Sequence, residues 1–253
     1  MRVLILGGTT EATQLGNALA GDARFDAVLS LAGRTLRPAP QRLPTRTGGF
    51  GGPAGLARWL RAHRVDAVLD ATHPFAAQIS RNAEAACAET GVALCVVRRP
   101  EWQPVAGDSW IVVRDIQEAA AALGPAPRRV LLTIGRKDLA SFKAAPQHRY
   151  VIRSVDAPPA DALPSVSEVI TARGPFLEPD ERRLLLEHRI EVLVTKNSGG
   201  NATQAKLHAA RALGLPVVMV ARPPAGSATT VADVDAALHW LVDRHVAPSA
   251  RGA

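Results

Sequence analysis

Short apolar runs of four or five residues recur along this chain. Each is followed by a polar or glycine-bearing loop and then by an amphipathic stretch. Residues 3–6, 28–31, 65–69 and 93–97 are such runs in the first hundred positions. Runs this short, without polar alternation, suit strands buried on both faces. Residues 10–19, 56–63 and 75–89 carry apolar side chains at helical spacing. Strand, loop and helix in strict rotation predict an α/β architecture with a mostly parallel sheet.

At 98–104 the rotation stops. Pro100 and Pro104 bracket a stretch without periodicity, which reads as a connector. The rotation then resumes, with expected strands at 130–134, 150–153, 168–171, 192–195 and 217–220 and helices at 118–123, 180–188, 202–213 and 234–244. There is also an internal echo. One strand, loop, helix, Gly91, strand series ends in Arg99-Pro100, and a second, through Gly214, ends in Arg222-Pro223. Any two βαβ units resemble each other, yet the echo fits two Rossmann-like doubly wound domains facing a central cleft. The expected boundaries are 1–100 and 101–246, with a frayed tail at 247–253. Ligands would meet the carboxyl ends of the strands.

Charge narrows the partner class. Thirty Lys and Arg face 23 Asp and Glu, a net charge of +7, and the only lysines are Lys137, Lys143, Lys196 and Lys206. This favours an anionic partner. Aromatic residues are 4% and no segment is a dense basic run. Single-strand nucleic-acid binders need stacking platforms, so a small anionic ligand ranks above nucleic acid. No apolar run approaches the ~18 residues of a membrane helix. The apolar start turns polar at Thr9-Thr10-Glu11, too early for a secretion signal. A cytoplasmic protein without membrane partners is expected. Cys87 and Cys95 form neither a disulfide framework nor a metal signature, and no metal is expected.

Four loops carry the chemistry. Gly7-Gly8-Thr9-Thr10-Glu11-Ala12 joins the first strand to a helix. Its glycines let backbone approach a ligand, and the helix start offers free N–H groups to a phosphate. A tight turn capped by Thr9 or Thr10 is the plainer reading. Gly33-Arg34-Thr35 follows the second strand, where NAD enzymes place an acid on the ribose. Here an arginine stands instead, which suits a 2′-phosphate and so NADPH. Asp70-Ala71-Thr72-His73-Pro74 ends the strand at 65–69, which puts Thr72 and His73 beside the first glycine loop, and Gly49 edges the same place. Thr195-Lys196-Asn197-Ser198-Gly199-Gly200 is a second candidate anion cradle, and Arg136, Lys137, Arg153 and Arg173 on neighbouring loops would complete a cationic wall. Ordinary surface charge would also account for the wall. No G-x-S-x-G or H-E-x-x-H pattern occurs.

Together with Arg99-Pro100, Trp102 and Ala172-Arg173-Gly174-Pro175-Phe176, these loops occur in an order that strongly resembles the precorrin-6A reductase family of cobalamin biosynthesis. Its cobalt-precorrin-6A relatives share the same motifs. The resemblance implies two Rossmann-like domains with a macrocycle between them. It implies NADPH-dependent reduction of one double bond of an acidic polycarboxylate tetrapyrrole, giving precorrin-6B. Gly7, Gly8, Thr9, Thr10, Glu11, Gly33, Arg34, Thr35, Gly49, Thr72 and His73 are then the expected cofactor residues. Arg136, Lys137, Arg153, Arg173, Lys196, Asn197, Ser198, Gly199 and Gly200 are the expected substrate residues. His73 is the candidate acid. Transient hand-over of the product to a neighbouring pathway enzyme is compatible with this role. A non-catalytic NADPH sensor and a nucleic-acid binder driven by net charge stay open.

Overall fold

The first five strands and three helices alternate, except that the third strand follows the second with no helix between them. They are β1 (Arg2–Leu6), α1 (Thr10–Leu19), β2 (Asp26–Leu31), β3 (Thr45–Thr47), α2 (Gly52–Ala62), β4 (Ala67–Asp70), α3 (Ala77–Thr90) and β5 (Ala93–Val97). There follow β6 (Trp110–Val113), α4 (Ile116–Ala121), β7 (Arg129–Thr133), β8 (Arg149–Ser154), β9 (Ser167–Thr171), α5 (Glu178–Glu187), β10 (Val192–Lys196), α6 (Ala205–Ala212), β11 (Val217–Val220), β12 (Thr229–Val231) and α7 (Val234–Val246). The computed structural model describes residues 1–33 and 39–246.

Two six-stranded sheets result, in the orders β12-β5-β4-β1-β2-β3 and β6-β11-β10-β7-β8-β9. Every strand pair is parallel. Both orders reverse direction at one point, between β1 and β4 and between β7 and β10, as in doubly wound α/β folds. The expected α/β class with two parallel, doubly wound sheets therefore holds.

The expected domain boundaries need correction. The chain divides into Met1–Arg99 with everything from Pro223 on, and Pro100–Arg222. After β5 the chain leaves its sheet and forms the outer strand of the other one, β6 on β11. After β11 it returns, and β12 pairs with β5 through Thr229↔Cys95, Thr230↔Val96 and Val231↔Val97. Ala237 and Leu241 of α7 are fully buried in one core with Ile5, Leu15 and Leu69. The segment after 222 thus completes the first unit, not the second. The expected tail at 247–253 lies outside the described residues.

Period-two alternation along β1 divides the first unit's core. Val3 and Ile5 pack with α1 and α7, while Leu4 and Leu6 pack with Leu56, Leu60, Ala83 and Ala86 of α2 and α3. In the second unit Leu131, Leu193 and Met219 pack with Leu185 of α5 and Leu207 and Ala210 of α6. Among the described residues no helix is long and apolar enough to cross a membrane.

Cys87 in α3 and Cys95 in β5 are both buried. Burial pushes the Cys87 thiol up to about 12, with the Asp70 charge adding to it. Burial likewise pushes Cys95 up to about 11. Thiolate is the reactive form, so neither cysteine should react with a chromogenic disulfide reagent at pH 8 in the folded protein, and both should in urea. A thiol titrating before unfolding would contradict this burial.

Candidate functional site

In the first unit β1 ends at Leu6 and the chain turns at once. The Gly7 amide donates to Ser30 O at 2.9 Å. A Cβ on Gly7 would lie 2.6 Å from Leu29 Cδ1, so any other residue here would have to displace the buried Leu29 side chain. Gly8 has φ +116° and open space beside it. Thr9 is the N-cap of α1, its Oγ1 accepting from Ala12 N at 3.2 Å. The same hydroxyl donates to Ala71 O at 2.6 Å, which ties the turn to the end of β4. The amides of Gly8, Thr9 and Thr10 have no hydrogen-bond partner among the described residues. They open a ten-residue helix. An anion fits there by charge and by donor supply.

Glu11 does not point the same way chemically. Its carboxylate takes Arg99 Nη1 at 2.7 Å, with both side chains largely buried. Burial raises its pKa, but the hydrogen bond from its own amide and the Arg99 charge outweigh that, leaving it below the usual carboxylate range. Glu11 is thus ionised and neutralised by the chain itself.

The loops after β2 and β3 meet each other. Gly33 has φ +71°, while Arg34 and Thr35 lie outside the described residues. Gly48 N donates to Leu31 O at 2.9 Å. Arg46 braces this loop, its Nη1 donating to Ser30 Oγ at 2.7 Å and Gly48 O at 3.0 Å and its Nη2 to Gly49 O at 3.0 Å. Its guanidinium lies 3.8 Å from the centre of the Phe50 ring. The sequence did not single out Arg46, because Thr45-Arg46-Thr47 carries no motif.

At the end of β4, Asp70 is 1% exposed. Its Oδ1 accepts from Thr72 N at 3.0 Å and Thr72 Oγ1 at 2.7 Å. Its Oδ2 is buried without a hydrogen-bond partner among the described residues. A cavity of about 30 Å³, room for one water, is lined by Asp70, Thr72, His73, Ser80 and Arg98 among others. Thr72 is therefore held by Asp70, and the exposed His73 accepts from Phe75 N at Nδ1, 3.3 Å away. That contact leaves Nε2 as the protonated nitrogen of the neutral ring. The expected cofactor residues that are described thus gather at the carboxyl ends of β1 to β4. Among the described residues no group of three His, Cys, Asp or Glu is placed to hold a metal ion.

The second unit departs from the expected cationic wall. Arg153 is buried against Glu181, and its guanidinium lies 3.9 Å from the centre of the Phe176 ring. A charge so enclosed holds the interior together and presents nothing to a ligand. Lys196 pairs with Asp138, and Arg136 lies 3.8 Å from Asp156. Lys137 and Arg173 are exposed.

The 195–200 loop works as a latch on the connector. Asn197 Oδ1 accepts from Trp102 N at 2.9 Å and its Nδ2 donates to Trp102 O at 3.0 Å, a two-point amide pair. Arg222 donates from Nε to Asn197 O at 2.7 Å and from Nη2 to Pro100 O at 3.1 Å. Trp102 Nε1 donates to Gly200 O at 3.1 Å, and Lys206 Nζ sits 4.7 Å from its ring centre. A Cβ on Gly199 would meet Pro100 O at 2.1 Å. Asn197 and Ser198 are each only 7% exposed. The polar, glycine-bearing composition read as an anion cradle is here explained by backbone close to backbone. Trp102 and the Arg99-Pro100 step were legible as motifs, but their anchoring role was not.

Known proteins align with this chain along almost its whole length. The model of the precorrin-6x reductase CbiJ/CobK family matches residues 2–242. A precorrin-6A reductase from Sinorhizobium sp. is 53% identical over 246 residues, covering 95% of this chain and 94% of its own. One from Rhodobacter capsulatus is 50% identical and covers 98% of each. A cobalt-precorrin-6A reductase from Salmonella typhimurium is 31% identical over 87% of each. A solved CobK precorrin-6A reductase superposes with a TM-score of 0.92 at 50% identity, covering 97% of both chains. The chain belongs to the precorrin-6x reductase CbiJ/CobK family.

Proposed function

We propose that the chain is an NADPH-dependent reductase that reduces one double bond of precorrin-6A, an acidic tetrapyrrole, to give precorrin-6B. The observation that carries the cofactor part is the open Gly7-Gly8 turn with its unpartnered amides at the start of α1. The substrate part is supported by family membership. Identity of 53% and 50% to precorrin-6A reductases, against 31% to a cobalt-precorrin-6A reductase, favours the cobalt-free substrate. The same reading places the protein in the cytoplasm.

When bound, the nicotinamide supplies a hydride. The protein's part is to bind, orient and balance charge. The amides of Gly8, Thr9 and Thr10 take the pyrophosphate, and Thr9 keeps their turn against β4. Arg99 cancels the charge of Glu11, which lies in the first turn of α1 and would otherwise repel a phosphate there. Lys137 and Arg173, exposed at the carboxyl ends of β7 and β9, offer cations to the substrate's carboxylates. His73, as the imidazolium, would be the candidate donor of the proton that must reach the carbon beside the reduced one, returning to the neutral ring on giving it up.

In this reading positioning outweighs proton donation, because water also reaches an exposed loop. His73→Ala should therefore lower kcat by about tenfold or less, below the ~10²–10⁴-fold of a committed general acid. A larger loss with NADPH affinity unchanged would make His73 the acid. The reading itself is tested by anaerobic turnover of precorrin-6A followed at the NADPH absorbance. Stoichiometric oxidation supports it. NADPH binding with no oxidation would favour the sensor reading.

A further inference from the structure

Residues 27–65 contain Arg34, Arg37, Arg42, Arg46, Arg58, Arg61 and Arg64 and not one Asp or Glu. Of those described, Arg42, Arg58, Arg61 and Arg64 are exposed, while Arg46 is half-buried. Burial pulls the Arg46 pKa down, and no carboxylate opposes that. Half-buried, its charge has no acid beside it: carbonyl oxygens, a hydroxyl and the Phe50 ring surround the guanidinium. Nor can residues 34–38 supply an acid, because they contain none. The guanidinium is set in place and its charge is left over.

Its position gives that charge a use. In the sheet register Leu6 stands opposite Ser30, and Ser30 opposite Arg46. Arg46 is thus two strand spacings, roughly 9–10 Å, from the end of β1 where the phosphate-binding turn begins. The end of β2 is where doubly wound folds hold the adenosine ribose, and Arg46 donates to Ser30 Oγ on that strand. Its three hydrogen bonds use both Nη1 protons and one on Nη2, leaving the Nε side of a five-donor group for an oxyanion.

We propose that Arg46 discriminates a phosphorylated from an unphosphorylated dinucleotide by pairing with the phosphate on the adenosine ribose. The inference rests on the NADPH reading above. It explains why the ribose-end strand carries a hydroxyl and a fixed guanidinium in place of a carboxylate.

The test is calorimetric titration with NADPH and with NADH, on the wild type, Arg46→Met, Arg46→Lys and the exposed-site control Arg58→Met. The wild type should prefer NADPH. Arg46→Met should weaken NADPH about 10–100-fold, the scale of one charged hydrogen-bonded pair. NADH should change by less than about threefold on the same scale, and Arg58→Met should leave the preference intact. Equal weakening of both cofactors by Arg46→Met would reduce Arg46 to a loop brace and overturn the proposal. So would an unchanged preference. A wild type that binds NADH as well as NADPH would instead overturn the cofactor reading beneath it. If Arg46→Met does not fold, the contrast between 2′,5′-ADP and 5′-AMP decides. Arg46→Lys must narrow the wild-type gap, and an unchanged gap overturns the proposal.

Discussion

Arg153→Ala is expected to cost the fold about 3–5 kcal/mol, the usual penalty for orphaning one member of a buried ion pair. The side chains of Arg153 and Glu181 are 5% and 2% exposed. Glu181 Oε2 already lacks a partner among the described residues, so without Arg153 a carboxylate would be left enclosed with its charge uncompensated. At this chain length the melting temperature should fall by roughly 6–20 °C. The double variant Arg153→Met, Glu181→Leu should recover most of the loss, since it removes both charges and their desolvation together. The comparison separates two roles for Arg153. If Arg153→Ala melted like the wild type and instead raised KM for the tetrapyrrole, Arg153 would be a substrate ligand after all.

Gly199→Ala is expected to destabilise by about 3 kcal/mol, combining left-handed backbone with a steric clash. Gly199 has φ +63°, and its new Cβ would lie 2.1 Å from Pro100 O and 2.4 Å from Arg222 Nη2. The arginine tip can swing away. Pro100 O is backbone, and the Asn197–Trp102 amide pair holds that backbone two residues on. Gly214→Ala is the matched control, with φ +64° and nothing within 4 Å of the added carbon. It should cost only the conformational part, about 1–2 kcal/mol. Urea unfolding of both variants measures the difference. Equal losses would show that the connector yields without resistance.

Much of the fold was legible because buried parallel strands are nearly pure runs of apolar residues. The run at 93–97 is β5 and the run at 217–220 is β11, residue for residue. The strands missed were β3, β6 and β12. Each lies at a sheet edge and has only three or four residues. Thr229 and Thr230 are polar and exposed in β12, so at that edge the apolar signal is absent. β6 is apolar throughout, Trp110-Ile111-Val112-Val113, but Ile111 and Val112 are exposed at the sheet edge, and its run stands apart from the strand-helix rotation, just after the proline-bearing connector. Missing β12 is also why the second domain was extended to 246.

The candidate site divides along the same line. The turn Gly7–Thr10 was readable, since its sequence, strand to glycine pair to capped helix, is local and its chemistry is local too. The 195–200 loop has equally suggestive composition, yet its partners Pro100 and Trp102 are about a hundred residues away in the chain. Lysine and arginine likewise look alike in sequence whether they face water or a buried acid, and Arg153 and Lys196 proved to be paired.

By itself, then, the amino-acid order determined the α/β class, the glycine turn that opens α1 and the family, because these depend on neighbours within one βαβ unit. Tertiary structure decided which unit owns the last strand and helix, which glycines stand in open space and which press on backbone, and which cations are paired with acids. Those outcomes depend on partners far apart in sequence, and only the folded chain brings them within a few ångströms of each other.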